Sequence, residues 1–358
     1  MLLRLEGVGK KFDSVSAVHE LDLEVAKGEL LALLGPSGCG KTTTLRMIGG
    51  LERPTSGRIL LDDSVISSSE VFAPPEGRDM GMVFQSYALW PHMTVAENIS
   101  YGLRKRKMWK NSGEDRIEEM LRFVEMSGYG KRYPSELSGG QQQRVSVARA
   151  LATRPKVVLF DEPLSNLDAS LRESMRFELR RIHKESNLTG IYVTHNQEEA
   201  FTLGDRVAVM RDGKVEQVAT PVELYERPKN KFVAQFVGLA NMLDGVIQEK
   251  NEGEIRVSTQ AGPIICSIRS DQLLNVGDKV SVMVRPESVA LHPSEPFSSA
   301  NVWRGVVKDL VFSGALKDYF IDCNGVPVRA QYLGKTRFAV GDSLNLEIAS
   351  KNAVVVSD

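Results

Sequence analysis

The stretch Gly35-Pro36-Ser37-Gly38-Cys39-Gly40-Lys41-Thr42-Thr43 decides the fold, because it fits G-x-x-x-x-G-K-[ST] in the setting that pattern requires. The apolar run Leu30-Leu31-Ala32-Leu33-Leu34 leads in, and a helix-compatible run from Lys41 to Gly50 leads out. The order is strand, glycine-rich turn, helix. Gly35, Gly38 and Gly40 let the backbone bend with its N–H groups turned onto a polyphosphate. A helix starting near Lys41 aims its partly positive N-terminus at the same anion. Lys41 adds a point charge for the outer phosphates, and the Thr42 hydroxyl is placed to hold Mg²⁺. The competing reading, a plain glycine turn with a surface lysine, loses ground as the rest of the chain is read.

Composition bounds the class. The 358 residues are 42% hydrophobic and 25% charged, as in an ordinary globular protein of two or three domains. A net charge of −1 gives no whole-chain case for nucleic acid or an anionic membrane. No apolar run approaches the length of a membrane span, and the N-terminus lacks the apolar core of a signal peptide. Cys39, Cys266 and Cys323 are few, odd in number and far apart, which suits a reducing compartment and not a disulfide scaffold. Cys39 lies inside the glycine-rich turn, as small filler or as a redox-sensitive thiol.

Further along, Leu2 to Leu5 and Leu21 to Val25 alternate as antiparallel strands, with Lys10-Lys11-Phe12-Asp13 between them. Locally Phe12 reads as a core residue, although its face could stack on a purine. The polar segment 62–79 reads as a loop. Gly81-Met82-Val83-Phe84 is a short buried strand that ends on Gln85, at a sheet edge suited to ligands. Residues 86–152 read as an inserted helical subdomain. Within it the basic run 104–107 reads as a solvated face. The subdomain closes on Leu137-Ser138-Gly139-Gly140-Gln141, where an N-cap residue and two glycines present a second anion-binding helix start. Val157-Val158-Leu159-Phe160 is a buried strand delivering Asp161 and Glu162. One carboxylate there can hold Mg²⁺ and the other can polarise a water. A segment Ser165-Asn166-Leu167-Asp168 precedes a long amphipathic helix. Ile191-Tyr192-Val193-Thr194 is another core strand and ends on His195, on the same edge as Gln85 and Asp161. Two short helices, around 221–225 and 231–237, lead out of this domain.

From about residue 241 strand-length segments alternate with Gly and Asp turns. Val276-Gly277-Asp278-Lys279-Val280-Ser281-Val282-Met283-Val284 aligns without gaps to Val340-Gly341-Asp342-Ser343-Leu344-Asn345-Leu346-Glu347-Ile348, and Gly245-Val246 is echoed by Gly305-Val306. Two related β units imply a pair of small barrels, or one barrel in two halves. No interleaved aromatic and basic stripe marks them as a nucleic-acid module.

Taken together, these motifs resemble the ATP-binding subunit of an ABC transporter, over residues 1–237. The glycine-rich turn resembles Walker A, with Gly35, Pro36, Ser37, Gly38, Cys39, Gly40, Lys41, Thr42 and Thr43 at the ATP. Asp161 and Glu162 end a segment like Walker B, Leu137 to Gln141 form the signature, Gln85 matches the Q-loop, Asp168 the D-loop and His195 the switch histidine. The implied fold is an α/β P-loop NTPase domain with an inserted helical subdomain (86–152), followed by an OB-like, TOBE-type β-barrel domain (241–358).

By this resemblance Phe12 stacks on adenine, against its local reading. Thr42, Gln85 and Asp161 organise Mg²⁺, the cofactor that accompanies ATP. Glu162 is the general base, with His195, Gln85 and Lys41 as the other catalytic groups. Two copies, or two paired ATPase subunits, close head to tail, with Leu137, Ser138, Gly139, Gly140 and Gln141 reaching the partner's ATP and Asp168 coupling the sites. The implied partners are an integral membrane permease and an extracytoplasmic solute-binding protein, with no nucleic acid. The implied place is the cytoplasmic face of the inner membrane, as a peripheral subunit. Arg285-Pro286-Glu287 resembles an element of importers for sugars, polyamines and ferric iron. The stretch around Trp90-Pro91-His92 leans toward ferric iron or polyamine over sugar. A different class, a soluble ABC ATPase of ribosomes or DNA, fits less well: such relatives carry paired ATPase domains or a coiled-coil insertion, and this chain has neither an evident second phosphate loop nor a long heptad run.

Overall fold

The computed structural model describes residues 1–106, 108–109, 113–268, 273–294, 301–334 and 338–357. The chain divides into two compact units, Met1–Pro221 and Val222–Asp358. In chain order the first holds β1 (Leu3–Phe12), β2 (Val15–Val25), β3 (Leu30–Leu34), α1 (Lys41–Gly49), β4 (Ser56–Leu61), β5 (Ser64–Ser67), β6 (Met80–Val83), α2 (Val95–Lys105), α3 (Gly113–Phe123) and α4 (Gly139–Ala152). It continues with β7 (Val157–Asp161), α5 (Ala169–Ser186), β8 (Gly190–Thr194), α6 (Gln197–Leu203), β9 (Arg206–Arg211) and β10 (Lys214–Ala219).

Two sheets clasp α1. One is antiparallel, in the order β2-β1-β4-β5; the other runs β10-β9-β3-β8-β7-β6. β3, β6, β7, β8 and β9 are mutually parallel where they pair. Every residue of β3 and β8 is buried, the mark of a strand covered on both faces, and their unbroken apolar runs reflect it. Leu45, Met47 and Ile48 of α1 are fully buried between Leu3, Leu5, Leu21 and Ile59 on one side and Leu31, Leu159 and Ile191 on the other. α1 is thus packed on both sides, which fixes the direction of its N-terminus. The helices α2, α3 and α4 pack on one another as a separate group.

The structure corrects several local readings. β1 and β2 are one long hairpin whose register reaches Phe12 opposite Val15, so Lys10-Lys11-Phe12 are strand residues and not a connector. Segment 62–79 contains β5, which pairs with β4. The basic run, by contrast, keeps its reading as a solvated face: Arg104, Lys105 and Arg106 are exposed, with Arg106 paired to Asp79 at 2.8 Å and Arg104 and Lys105 over Trp109 and Tyr101; Lys107 lies outside the described residues. The β9–β10 hairpin turns at Asp212 and Gly213, both with positive φ.

Two short helices, α7 (Pro221–Glu226) and α8 (Lys231–Phe236), belong to the second unit and not, as their sequence position suggests, to the end of the first. Arg285 ties them to the β-rich part: its buried guanidinium donates to the carbonyls of Tyr225, Ala234 and Leu239. Among the described residues this unit holds β11 (Asn241–Asn251), β12 (Glu254–Thr259), β13 (Pro263–Ser267), β14 (Lys279–Val284), β15 (Val289–Pro293), β16 (Val302–Ser313), β17 (Leu316–Cys323), β18 (Val326–Leu333), β19 (Ser343–Ile348) and β20 (Ala353–Val356). The echo is a true structural repeat. Gly245 pairs with Val280, and Gly305 pairs with Leu344, the aligned position. Ile247 and Gly277 exchange the same backbone bonds with this turn as Val307 and Gly341 do with theirs.

The halves are not two independent barrels. β15 joins β19 and β20 joins β14, so each half lends its last strand to the other. The result is a closed barrel, β11-β12-β13-β20-β14, and a five-stranded sheet, β15-β19-β16-β17-β18. Two buried asparagines lock the exchange. Asn241 donates to Arg329 O (2.8 Å) and accepts from Arg329 N (2.7 Å). Asn301 does the same with Ile265, at 2.8 and 2.7 Å. Replacing either by Ala strands two backbone groups, at about 1–3 kcal/mol per group. Denaturant unfolding of Asn301→Ala should show this unit destabilised by roughly 2–4 kcal/mol, and a loss below about 0.5 kcal/mol would mean that water replaces the side chain.

Candidate functional site

The parallel strands β3, β6, β7 and β8 end on one edge of their sheet, and each is followed by residues singled out from the sequence. This is the crevice where α/β sheets bind ligands. After β3 the backbone turns through Gly38 (φ 82) and Gly40 (φ 99), which is the left-handed N-cap of α1. Gly35 is required for space: a Cβ there would sit 2.3 Å from Met210 O. Lys41 is only 5% exposed, and its ammonium crosses the loop to donate to Gly35 O (2.7 Å) and Pro36 O (2.9 Å).

The Thr42 hydroxyl donates to Asp161 Oδ1 at 3.3 Å, joining the start of α1 to the end of β7. Burial pushes the Asp161 carboxyl up, and the Thr42 bond and the Arg46 charge only partly oppose this. Hydroxyl and carboxylate are hard oxygen donors, and a half-buried carboxylate held by a hydroxyl fits Mg²⁺. Glu162 follows in the left-handed region, φ 43, which costs a non-glycine residue about 1–2 kcal/mol. Its N–H donates to Val193 O (3.1 Å), and its carbonyl accepts from Ser165 N and Oγ, so the neighbours impose the conformation. The kink aims the carboxylate along the sheet edge, where His195 Nδ1 lies 3.1 Å from Glu162 Oε2. Lys41, Thr42, Asp161, Glu162 and His195 are thereby drawn into one crevice.

Gln85 is exposed beyond β6, and its carbonyl accepts from Asn166 Nδ2 at 2.9 Å. Asp168 is the N-cap of α5, its carboxylate accepting from Leu171 N at 2.9 Å. Ser138 caps α4 in a reciprocal box with Gln141, so the N-cap read from the sequence is present. Its two glycines serve packing as well. A Cβ on Gly140 would meet Leu171 at 2.9 Å, and one on Gly139 would press on Leu167 and the Tyr87 hydroxyl.

Sequence reasoning missed Arg149. Half-buried on α4, with its guanidinium pushed down to about 10 by desolvation, it donates to the carbonyls of Tyr87 and Ala88. Those two residues have positive φ (61° and 49°), so the turn after Gln85 is strained and clamped to α4, with Ser146 Oγ adding a bond to Tyr87 O. Trp90 is half-buried, under Arg149 and against Tyr101, which leaves part of its ring outward. Phe12, by contrast, is 44% exposed at the hairpin end with Lys10 over its ring, so the local core reading fails. The cause is the turn at Asp13 (φ 49), which ends the strand there. All three cysteines are buried and unpaired. Burial pushes the Cys39 thiol up despite nearby Lys41, as expected of filler and not of a reactive thiolate.

Comparison with known proteins gives the family. A family model described as ABC transporter matches residues 18–165, and one described as TOBE domain matches residues 282–356. The spermidine/putrescine import ATP-binding protein PotA of Oleidesulfovibrio alaskensis is 42% identical over 320 residues, which is 89% of this chain and 84% of the relative. The protein of the same name from Rubrobacter xylanophilus is 46% identical over 89% of this chain and 83% of its own length. That from Photobacterium profundum is 40% identical over 97% and 93%. Among solved structures, a dimeric post-hydrolysis state of an ATP-binding cassette bound to ADP and Pi matches with a TM-score of 0.54 and 32% identity, covering 62% of this chain and 99% of that one. The chain belongs to the ABC transporter ATP-binding proteins, as an import-type ATPase that carries a TOBE domain.

Proposed function

We propose that this chain is the ATPase of a polyamine importer. The observation that carries the substrate class is the agreement of relatives from three different bacteria, matched over most of both lengths and each named for spermidine and putrescine import. They favour polyamine over the ferric-iron and sugar alternatives. Among the described residues no helix is long and apolar enough to cross a membrane. The chain works with a separate permease, and with an extracytoplasmic polyamine-binding protein, from the cytoplasmic face of the inner membrane.

The proposed chemistry rests on the crevice. The N–H groups of the glycine-rich turn and the Lys41 ammonium bind the β- and γ-phosphates of ATP, and Phe12 stacks on the adenine. Thr42, Asp161 and Gln85 hold Mg²⁺, which supplies charge neutralisation as the γ-phosphoryl leaves. Glu162 orients the attacking water and accepts its proton, while His195 steadies the γ-phosphate and the Glu162 carboxylate. Two copies close head to tail, so that the capped start of α4 in one meets the ATP of the other, with Asp168 near the seam. The dimeric state of the solved cassette supports the pairing of two copies.

The test is uptake. Cells lacking the gene should lose high-affinity uptake of labelled spermidine or putrescine and regain it with the wild-type chain, but not with Lys41→Ala. Intact polyamine uptake alongside lost ferric-iron or sugar uptake would overturn the substrate assignment and leave the ATPase standing.

A further inference from the structure

His195 sits between two residues that the fold pins. The pin is Glu199, in the first turn of α6, which is 3% exposed. Its Oε2 accepts from the Thr194 hydroxyl at 2.8 Å and from the Tyr192 hydroxyl at 3.0 Å. Thr194 Oγ1 in turn accepts from Asn196 N at 3.0 Å, and Asn196 Oδ1 accepts from Glu199 N at 3.0 Å. The bonds close a ring, 194 to 199 to 196 and back, with His195 at its apex and the Glu162 carboxylate beyond. Around it stand the Arg176 guanidinium, bonded to Glu198, and the buried Tyr192 phenol. A carboxylate in an apolar setting needs such donors, and a carbon side chain would leave two hydroxyls stranded.

We infer that Glu199 is a positioning residue for His195. Its carboxylate holds the Thr194 hydroxyl, which in turn accepts from Asn196 N, so through that one hydroxyl it steadies the residues on both sides of the histidine and sets where the imidazole stands relative to Glu162. This rests on the role proposed for His195. α6 is thereby coupled to the reacting groups without touching ATP. A displacement of about 1 Å in such a group lowers turnover steeply while leaving ground-state binding alone.

The experiment compares Glu199→Ala, Glu199→Gln, Thr194→Val and His195→Ala in the full chain. It reads kcat, the affinity for a fluorescent ATP analogue and the thermal midpoint. Glu199→Ala should lower kcat roughly tenfold or more, with analogue affinity within about twofold of wild type. Glu199→Gln keeps an oxygen that accepts both hydroxyls, so it should restore most of the lost kcat. Thr194→Val, which leaves Glu199 in place, should reproduce the kcat loss and covers the case in which Glu199→Ala does not fold. Normal kcat in Glu199→Ala or Thr194→Val, or a Gln variant as slow as the Ala variant, overturns the inference. So does a fall in kcat that is matched by lost analogue affinity. Normal kcat in His195→Ala would instead overturn the role of His195 itself.

Discussion

Glu162→Gln should bind ATP with near wild-type affinity and hydrolyse it about 10²–10³-fold more slowly, by analogy with removal of one preorganised stabilising group. The substitution keeps the shape of the side chain and a contact to His195, and it leaves the glycine-rich turn, Lys41 and Thr42 untouched. What it removes is the carboxylate that can accept a proton. The position is specialised for this: Glu162 is held with φ 43 by a bond to the Val193 carbonyl and bonds from Ser165, a conformation that the chain would avoid if the residue only filled space. Steady-state phosphate release together with equilibrium ATP binding measures both arms. Turnover within a few-fold of wild type would remove Glu162 from the role of base and leave the Asp161–Thr42 contact as the surviving part of the site. The same variant, held with Mg-ATP and purified from gently solubilised membranes, should bring the permease with it.

Arg78→Met should cost the first unit about 3 kcal/mol or more, which for a unit of this size lowers the melting temperature by roughly 6–12 °C. Arg78 is 2% exposed, and its bonds go to backbone carbonyls. Its guanidinium donates to Met47 O (2.7 Å) and Ile48 O (2.6 Å) at the C-terminal end of α1, and to Ala73 O (2.8 Å). A cation at that end opposes the partial negative charge of the helix, and it satisfies carbonyls that a helix end leaves open. Burial pushes it down to about 10, so it stays protonated at neutral pH. Methionine matches the stem and loses every donor. Saturating ATP should return part of the loss, since ligand bound to the native state adds stability. A drop of less than about 2 °C would mean that water can reach and satisfy these carbonyls.

The sequence displayed the site better than its supports. The glycine-rich turn, the carboxylates after β7 and the residues after β6 and β8 stand at strand ends, and unbroken apolar runs mark the strands themselves. The turn chemistry then places their successors on one edge. Arg78, Arg149 and Glu199 were invisible for a shared reason. Each is a charged residue, for which exposure is the ordinary expectation, and each is drawn inward by partners that no local pattern announces. Arg149 lies within the helical run after the signature, yet its partners are carbonyls some sixty residues earlier, at Tyr87 and Ala88. Phe12 failed locally because register shifts break the alternation along β1, and the turn at Asp13 leaves its last residues exposed. In the C-terminal unit the echo gave the repeat and its register. The exchange of β15 and β20 left no trace in the sequence, because alternation marks a strand and its faces without naming the strand it pairs with.

That exchange governs how the unit can be made. Barrel strands β11 to β14 emerge from synthesis long before β20, the strand that completes them. Until it arrives, the flanks of β13 and β14 are open edges of the kind that recruit stray strands. The first half must therefore wait, and neither half reaches its final pairing alone. The sequence separation across β14 and β20 makes the closing step slow relative to the local hairpins. The reward is cooperativity. Loosening either half frees a strand from both, so a signal that disturbed one end of this unit would be felt at the other without any hinge between them.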